Sequence, residues 1–419
     1  MRASYACATL VVAAFAAAPR PALAQSATQA ATIQQQIDQL RKEFGDRLAA
    51  LESQLATLQT AQSAPAPAAA PEPAPEPAAA QAVGQGGALA NSKVFNPDMA
   101  VIGDFLGAAG SNSTNPSPPF EMHESEASFQ AVVDPYARAD FFMSFGEHGV
   151  DLEEGYLTLT ELPGKLLTRV GKMRAAFGKV NSQHNHVLPW ADRPLVTQNL
   201  VGGEEGISDA GISVARLIPA GSVFLEATGQ VFRGDSGDLF TSSEPSDLSY
   251  VAHLRGYHDI TESTNLDLGA SYAYGHNAAG VRAGVDLGRF TTSLFGTDVT
   301  LRWRPLTRAI YHQFVGRGEM VWSDRGQFQG SVNSFGYYAS GDYQFARRWW
   351  VGGRYDRSGR ADQADTIDRG TSALLTYWPS EFSQVRGQYR YINYADSAAA
   401  NEFLFQFQFS IGAHGAHPF

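Results

Sequence analysis

Between Gly178 and Glu205 the chain gathers groups that can ionise, ligate or steer a charged solute: Lys179, His184, His186, Asp192, Arg193, Glu204 and Glu205. Pro189, Trp190 and Pro194 lie among them and would stiffen and pack the segment. A His-x-His pair is half of a zinc ligand set, because zinc takes three or four ligands at about 2.0–2.1 Å. The other close pair, His414 and His417, falls at the opposite membrane face on the strand assignment below, so the two pairs cannot share an ion. Solvated histidines are therefore expected; no metal or other cofactor is assigned, and His184 and His186 remain weak metal candidates. Catalysis finds no support either. The chain has no Gly-x-Ser-x-Gly elbow, no His-Glu-x-x-His and no phosphate loop.

A second set of charges sits in alternating runs. Arg138 and Asp140, Lys172 and Arg174, Arg302, Arg317 and Glu319, Arg354, Arg386 and Arg390 are each flanked by apolar residues or glycine. In "VRGQYRY", Val385, Gly387, Tyr389 and Tyr391 alternate with Arg386, Gln388 and Arg390, which places the two sets on opposite faces of a strand. A charge turned toward lipid at mid-membrane costs roughly 2–4 kcal/mol. The parity therefore predicts that these charges line a polar lumen. Basic wall residues facing an acidic loop would set up a transverse field there; the plainer alternative is that the charges pair across the interior and fill it.

The elements that must carry these residues are legible in the last twenty residues. Phe403, Phe405, Phe407, Phe409 and Ile411 alternate with Gln406, Gln408 and Ser410, and the chain ends on Phe419. A wall of rings is a poor solvent face and a good lipid face. Sixteen such runs follow one another from residue 98 to residue 412, separated by turn residues. An even number returns both barrel ends to one side. Tight turns at Asp134-Pro135, Leu162-Pro163-Gly164, Pro219-Ala220, Pro305-Leu306 and Arg347 alternate with longer connections, among which Gly178–Glu205 is the longest. Trp303, Trp349, Trp350 and Trp378 fall at one set of strand ends and Trp322 at the other, as interfacial girdles do.

The N-terminal part organises differently. Residues 1–24 hold a basic start, an apolar run and Ala22-Leu23-Ala24, the pattern of a secretory signal peptide. The single cysteine, Cys7, lies inside it, which excludes disulfide and thiolate chemistry from the rest. Residues 25–62 place Ile33, Ile37, Leu40, Phe44, Leu48, Leu51, Leu55 and Leu58 on a near-heptad seam, predicting a periplasmic coiled-coil helix that self-associates; the plainer alternative is one amphipathic helix lying on another surface. Residues 63–90 are a Pro/Ala-rich spacer ending in a Gly-rich hinge, and 91–419 are the barrel. With 31 Lys+Arg against 42 Asp+Glu, a net charge of −11 argues against nucleic acid.

In this order of segments the chain resembles Gram-negative outer-membrane porins, above all the phosphate-selective porin family. The stretches "FNPDMAVIGDF", "FGKVNSQHNHVLPWADRPLV" and "IGAHGAHPF" are similar to porin-like barrels labelled zinc-regulated TonB-dependent receptors. Receptors with a plug need about 22 strands, more than this chain supplies. The porin resemblance implies an outer-membrane homotrimer, a C-terminal Phe419 read by the barrel-assembly machinery, and a third external loop that folds inward and constricts the bore. The expected protein is thus an all-β, sixteen-stranded antiparallel transmembrane barrel, bathed in outer-membrane lipid, that passes small hydrophilic solutes without chemistry. Two rival functions remain: a closed barrel that tethers the membrane to peptidoglycan, and a metal-binding receptor.

Overall fold

The computed structural model describes Lys42 and residues 97–412, apart from 147–148, 238, 279–280, 283–284, 287–288 and 329. The predicted signal peptide, spacer and terminal Phe419 lie outside the described residues, as do His414, His417 and all of the heptad segment but Lys42. The chain divides into two units, Met1–Val83 and Gly84–Phe419, and the second forms the barrel.

Its strands are β1 (Asp98–Ser111), β2 (Phe120–Asp134), β3 (Ala137–Gly146), β4 (Gly149–Leu162), β5 (Leu166–Arg174) and β6 (Ser208–Ala220). There follow β7 (Val223–Phe232), β8 (Ser249–Thr261), β9 (Thr264–Asn277), β10 (Val281–Arg282), β11 (Val285–Asp286) and β12 (Phe290–Trp303). The last six are β13 (Gln313–Gln327), β14 (Gly330–Ala346), β15 (Trp349–Arg360), β16 (Gln363–Ser380), β17 (Ser383–Asn393) and β18 (Ala399–Gly412). β10 and β11 pair only with each other; the other sixteen close into one antiparallel barrel, sealed where β1 meets β18. Closure leaves no unpaired edge. The sixteen barrel strands coincide with the sixteen alternating runs.

Connections differ from expectation in one half of the ring. Residues 304–312 form a longer connection than a Pro305-Leu306 turn, with Arg308 at φ 63°, so β13 starts late. At the opposite end of the barrel, β15 and β16 are joined through residues 361–362 alone, and the long connections there are 112–119, 175–207, 233–248 and 278–289.

Side-chain alternation sorts the wall into two faces. Phe295 is 47% exposed and its neighbour Leu294 fully buried; Tyr250 is 47% exposed and Val251 3%. Outward rings and aliphatics continue round the ring through Phe141, Ile212, Tyr272, Val351, Tyr389, Phe403 and Phe405. So extensive an exposed apolar belt marks a surface made to meet something other than water. The inner face is largely polar, but on the β7–β16 side it also carries an apolar patch: Phe232, Val251, Ala273, Leu294, Val321 and Leu374 join one cluster with residues of the 175–207 segment.

Candidate functional site

That segment, joining β5 to β6, stays inside the barrel. Near its start stands Gly178, whose φ of 60° suits glycine, and where a Cβ would stand 3.1 Å from the Glu319 carboxylate. The close approach lets Glu319 Oε1 on β13 accept from the backbone N–H of both Lys179 (2.5 Å) and Val180 (2.6 Å). At the far end Gly206, φ 64°, leaves room for the Asn181 amide, which a Cβ would strike. Asn181 donates to the carbonyls of Ala175 and Ile207 and accepts from Ile207 N–H, so one side chain sews the loop's two ends together. Arg193 is buried and donates to Asn185 Oδ1 (2.7 Å) and to the carbonyls of Val180 and Gln183. Burial and nearby Arg174 bring its pKa down to about 9, which leaves it charged at neutral pH.

The apolar members of the loop decide where it rests. Phe177, Val180, Leu188, Trp190, Val196, Leu200 and Val201 pack on the apolar inner wall. Trp190 meets the Tyr338 ring edge-on at 5.1 Å. A short helix α1 (Leu195–Leu200), opened by Pro194, buries Leu195, Val196, Thr197 and Leu200. Pro194 stands at its N-cap, and its carbonyl accepts from the N–H groups of Thr197 and Gln198.

Beyond this cluster the loop is held by charge. Asp192 accepts from Arg354 Nη2 on β15 (3.0 Å to both oxygens), Arg390 Nη1 on β17 (2.9 Å) and Gln388 Nε2 (2.5 Å). Arg354 also donates to the Asp192 carbonyl and to Asp356 Oδ2, and stacks over Trp190 at 4.9 Å. Arg390 is shared with Glu402 on β18. Burial pushes the Asp192 carboxyl up, but Arg354, Arg390 and the Gln388 hydrogen bond outweigh it and hold the pKa at about 2, against a usual 3.8. A lowered pKa means a contribution present above the unfolded value and lost as pH falls through the folded one. Pepsin cleavage within residues 188–200 should therefore be slow at pH 4 and rise steeply toward pH 2, beyond the enzyme's own pH response on an unfolded substrate. Asp192→Asn should already be cleaved at pH 4; equal rates for both proteins at both pH values would show that Asp192 does not hold the loop.

His184 and His186 correct the expectation of solvated rings: both are buried. His184 Nδ1 lies 2.7 Å from Glu126 Oε2 and 3.0 Å from Glu153 Oε2, and its Nε2 lies 2.9 Å from Glu154 Oε2. His186 Nδ1 lies 3.3 Å from Glu124 Oε1 and 3.7 Å from Glu126 Oε2. Burial alone would lower both imidazole pKa values; the hydrogen-bonded carboxylates reverse this and raise them, that of His184 well above 6.5. The acids come from the inner faces of β2 and β4, brought to the loop only by the fold. The Glu-x-Glu spacing of 124 and 126 was the available signal, since two residues apart on a strand share a face.

The remaining charges are placed as follows. Lys179 Nζ stands 3.8 Å from Asp267 on β9, and Arg302 3.9 Å from the same carboxylate. Arg317 pairs with Asp342 at 2.6 Å. Arg138 is half-exposed and bonds Asp140 and Gln130. Arg386 donates to Gln406 and Thr376, and Arg174 to Glu153 and to the Glu205 carbonyl. Glu204 and Glu205 are exposed on the loop. Lys172 departs from the expected inward parity. It stands opposite Gly155 and Ala210, on the face of exposed Val170, and pairs with Asp151 at 3.6 Å. The rule that apolar residues face lipid fails locally because neighbouring Met173 points into the apolar interior cluster.

Between the loop and the wall of β1, β2, β17 and β18 lies a cavity of about 200 Å³. Asp104, Glu121, His123, Asp192, Glu204 and Arg390 bring charge of both signs to it.

No family model matches the chain. An uncharacterized protein of Aquifex aeolicus (strain VF5) is 31% identical over 336 residues, 72% of this chain and 70% of its own. Among solved structures, a loop L8 deletion mutant of OmpT, an outer membrane protein of Vibrio cholerae, superposes with a TM-score of 0.53. It is 12% identical, over 76% of this chain and 100% of that one. The trimer form of in-vitro folded Vibrio cholerae OmpT gives 0.51 at 12% identity, over 76% and 100%. These structural likenesses concern the fold.

Proposed function

The chain belongs to the family of the uncharacterized Aquifex aeolicus protein, and we propose that it is an outer-membrane channel for small hydrophilic solutes, narrowed by a loop that crosses its lumen. The observation that carries this reading is the charged cavity left between the 175–207 loop and the β1–β2–β17–β18 wall. The apolar cluster packs the loop against the opposite side, which favours a path along the cavity. There fixed charges act strongly, because the surroundings are only partly aqueous. Selection would follow from bore and from the balance between acids on the loop and β1–β2 and the basic Arg390. Passage would be passive diffusion. The aromatic belt supports a lipid surround, and a homotrimer is proposed by analogy with the OmpT trimer form.

The apolar packing of the loop favours a second reading, a closed barrel that only anchors the N-terminal segment in the membrane. Planar-bilayer recording of the full chain separates the two. Small, steady, roughly ohmic steps whose reversal potential shifts less at high salt are expected, since the Debye length falls from about 10 Å at 0.1 M to about 3 Å at 1 M. A folded barrel that never conducts would leave the anchor.

A further inference from the structure

We propose that Glu124, Glu126, His184 and His186 bind one divalent first-row transition-metal ion, which fastens the lumen loop to the wall. All four are buried, and each offers one donor atom in a set lying within 4.8 Å of one another. Ligands at about 2.0–2.1 Å from one ion stand roughly 3.3 Å apart, so a modest inward rotation of side chains would complete the shell. The scaffold is firm. Glu124 and Glu126 are held on one face by the ladder, opposite Asp104 and Ile102 on β1, and the two histidines flank the start of a 3₁₀ turn at Asn185–Val187.

The charge balance accommodates a dication, and one buried carboxylate oxygen points to it. In the contacts around the two rings, four carboxylates (Glu124, Glu126, Glu153, Glu154) meet two imidazoles and the Arg174 guanidinium. Acid exceeds base even with both rings protonated. Glu126 Oε2 is buried without a formed hydrogen bond, although it lies 2.7 Å from His184 Nδ1. One dication with two neutral rings carries the same total charge as two protonated rings, so the exchange leaves the local balance unchanged. An ion bound between His184 Nδ1, Glu126, His186 and Glu124 would replace ring protons as the positive charge. Glu154, at 2.9 Å from His184 Nε2, would then orient that ring from behind, as carboxylates do for metal-bound histidines. Mixed imidazole and carboxylate donors without sulfur suit zinc, manganese, iron(II), cobalt or nickel; calcium and magnesium prefer all-oxygen shells. The site stands whether or not the lumen conducts.

The test uses the full-length protein, folded in detergent and stripped with a chelator. Dialysis against Zn²⁺, Mn²⁺ or Co²⁺ separately, followed by elemental analysis, should give one retained ion per chain, with visible d–d absorption for Co²⁺. H186Q and E126Q, shown folded by heat-modifiable mobility, should each weaken binding by more than the roughly 10–100-fold that loss of an outer-shell partner costs, while H258Q, at a partly exposed site on β8 remote from the cluster, should not. Chelation should also speed protease cleavage within residues 178–205. Substoichiometric ion in the folded wild type would overturn the site and leave a clamp of protonated histidines. Full retention in both H186Q and E126Q would show adventitious binding elsewhere, and unchanged cleavage on chelation would remove the fastening role.

Discussion

Replacing Asp192 with alanine should raise single-channel conductance severalfold and destabilise the folded protein by about 3 kcal/mol, the scale for breaking a buried ion pair. Asp192 is the loop's attachment to β15 and β17, through Arg354, Arg390 and Gln388. Without it, both guanidiniums keep one carboxylate each, Asp356 and Glu402, so the cost stays below that of two orphaned charges. The loop's middle, from Trp190 to α1, would lose its ionic anchor and keep its apolar contacts and its hydrogen bonds from neutral N–H groups to Gln388, Asp356 and Asp368. Excursions into the lumen side should then widen the path and add open-channel noise. A double-mutant cycle of Asp192→Asn with Arg390→Gln should show a coupling of about 1–3 kcal/mol. Unchanged conductance together with an additive cycle would mean that the apolar cluster alone sets the loop's position.

The barrel was readable because its strands obey one rule over most of their length. β17 and β18 alternate rings with Arg386, Gln388, Arg390 and Gln406, and burial follows that alternation residue by residue. Where the interior is apolar the rule loses its meaning. Leu294 and Val251 face inward as surely as Phe295 and Tyr250 face outward, and nothing in composition separates an inward leucine from an outward one. Lys172 was misplaced for that reason. The loop's length and position were legible, but its fastenings were not. Glu319 serves two backbone N–H groups of Lys179 and Val180, and a glutamate on a wall strand carries no mark of such a task. The acids around His184 lie on β2 and β4, far from it in sequence, so the shared face of Glu124 and Glu126 could be read but not its meeting with the histidines. Arg193, one of the loop's charged residues, closes on its own loop, a partnership that local sequence does not show.

Excising the loop should have the largest effect of all. Residues 179–205 can be replaced by a short Gly/Ser link because the ends are already neighbours: Arg174 stands opposite Ser208 in the β5–β6 ladder, and Ala175 N–H donates to the Ile207 carbonyl at 2.8 Å. The backbone ladder that closes the barrel does not pass through the loop, so a folded, less stable barrel is expected. Sixteen-stranded porins without an obstruction hold an aqueous channel, and conductance should rise severalfold over the intact chain. Removing the loop also uncovers Glu124, Glu126, Glu153 and Glu154 on β2 and β4, and Glu319, Arg354 and Arg390 on β13, β15 and β17, residues now covered by it. Charges facing each other across water are screened, so selectivity should fall as conductance rises, and salt should matter less. If the excised barrel folds and conducts no better than the intact chain, the restriction lies elsewhere. If the intact chain is silent and the excised one conducts, the loop is a plug and the native barrel is closed.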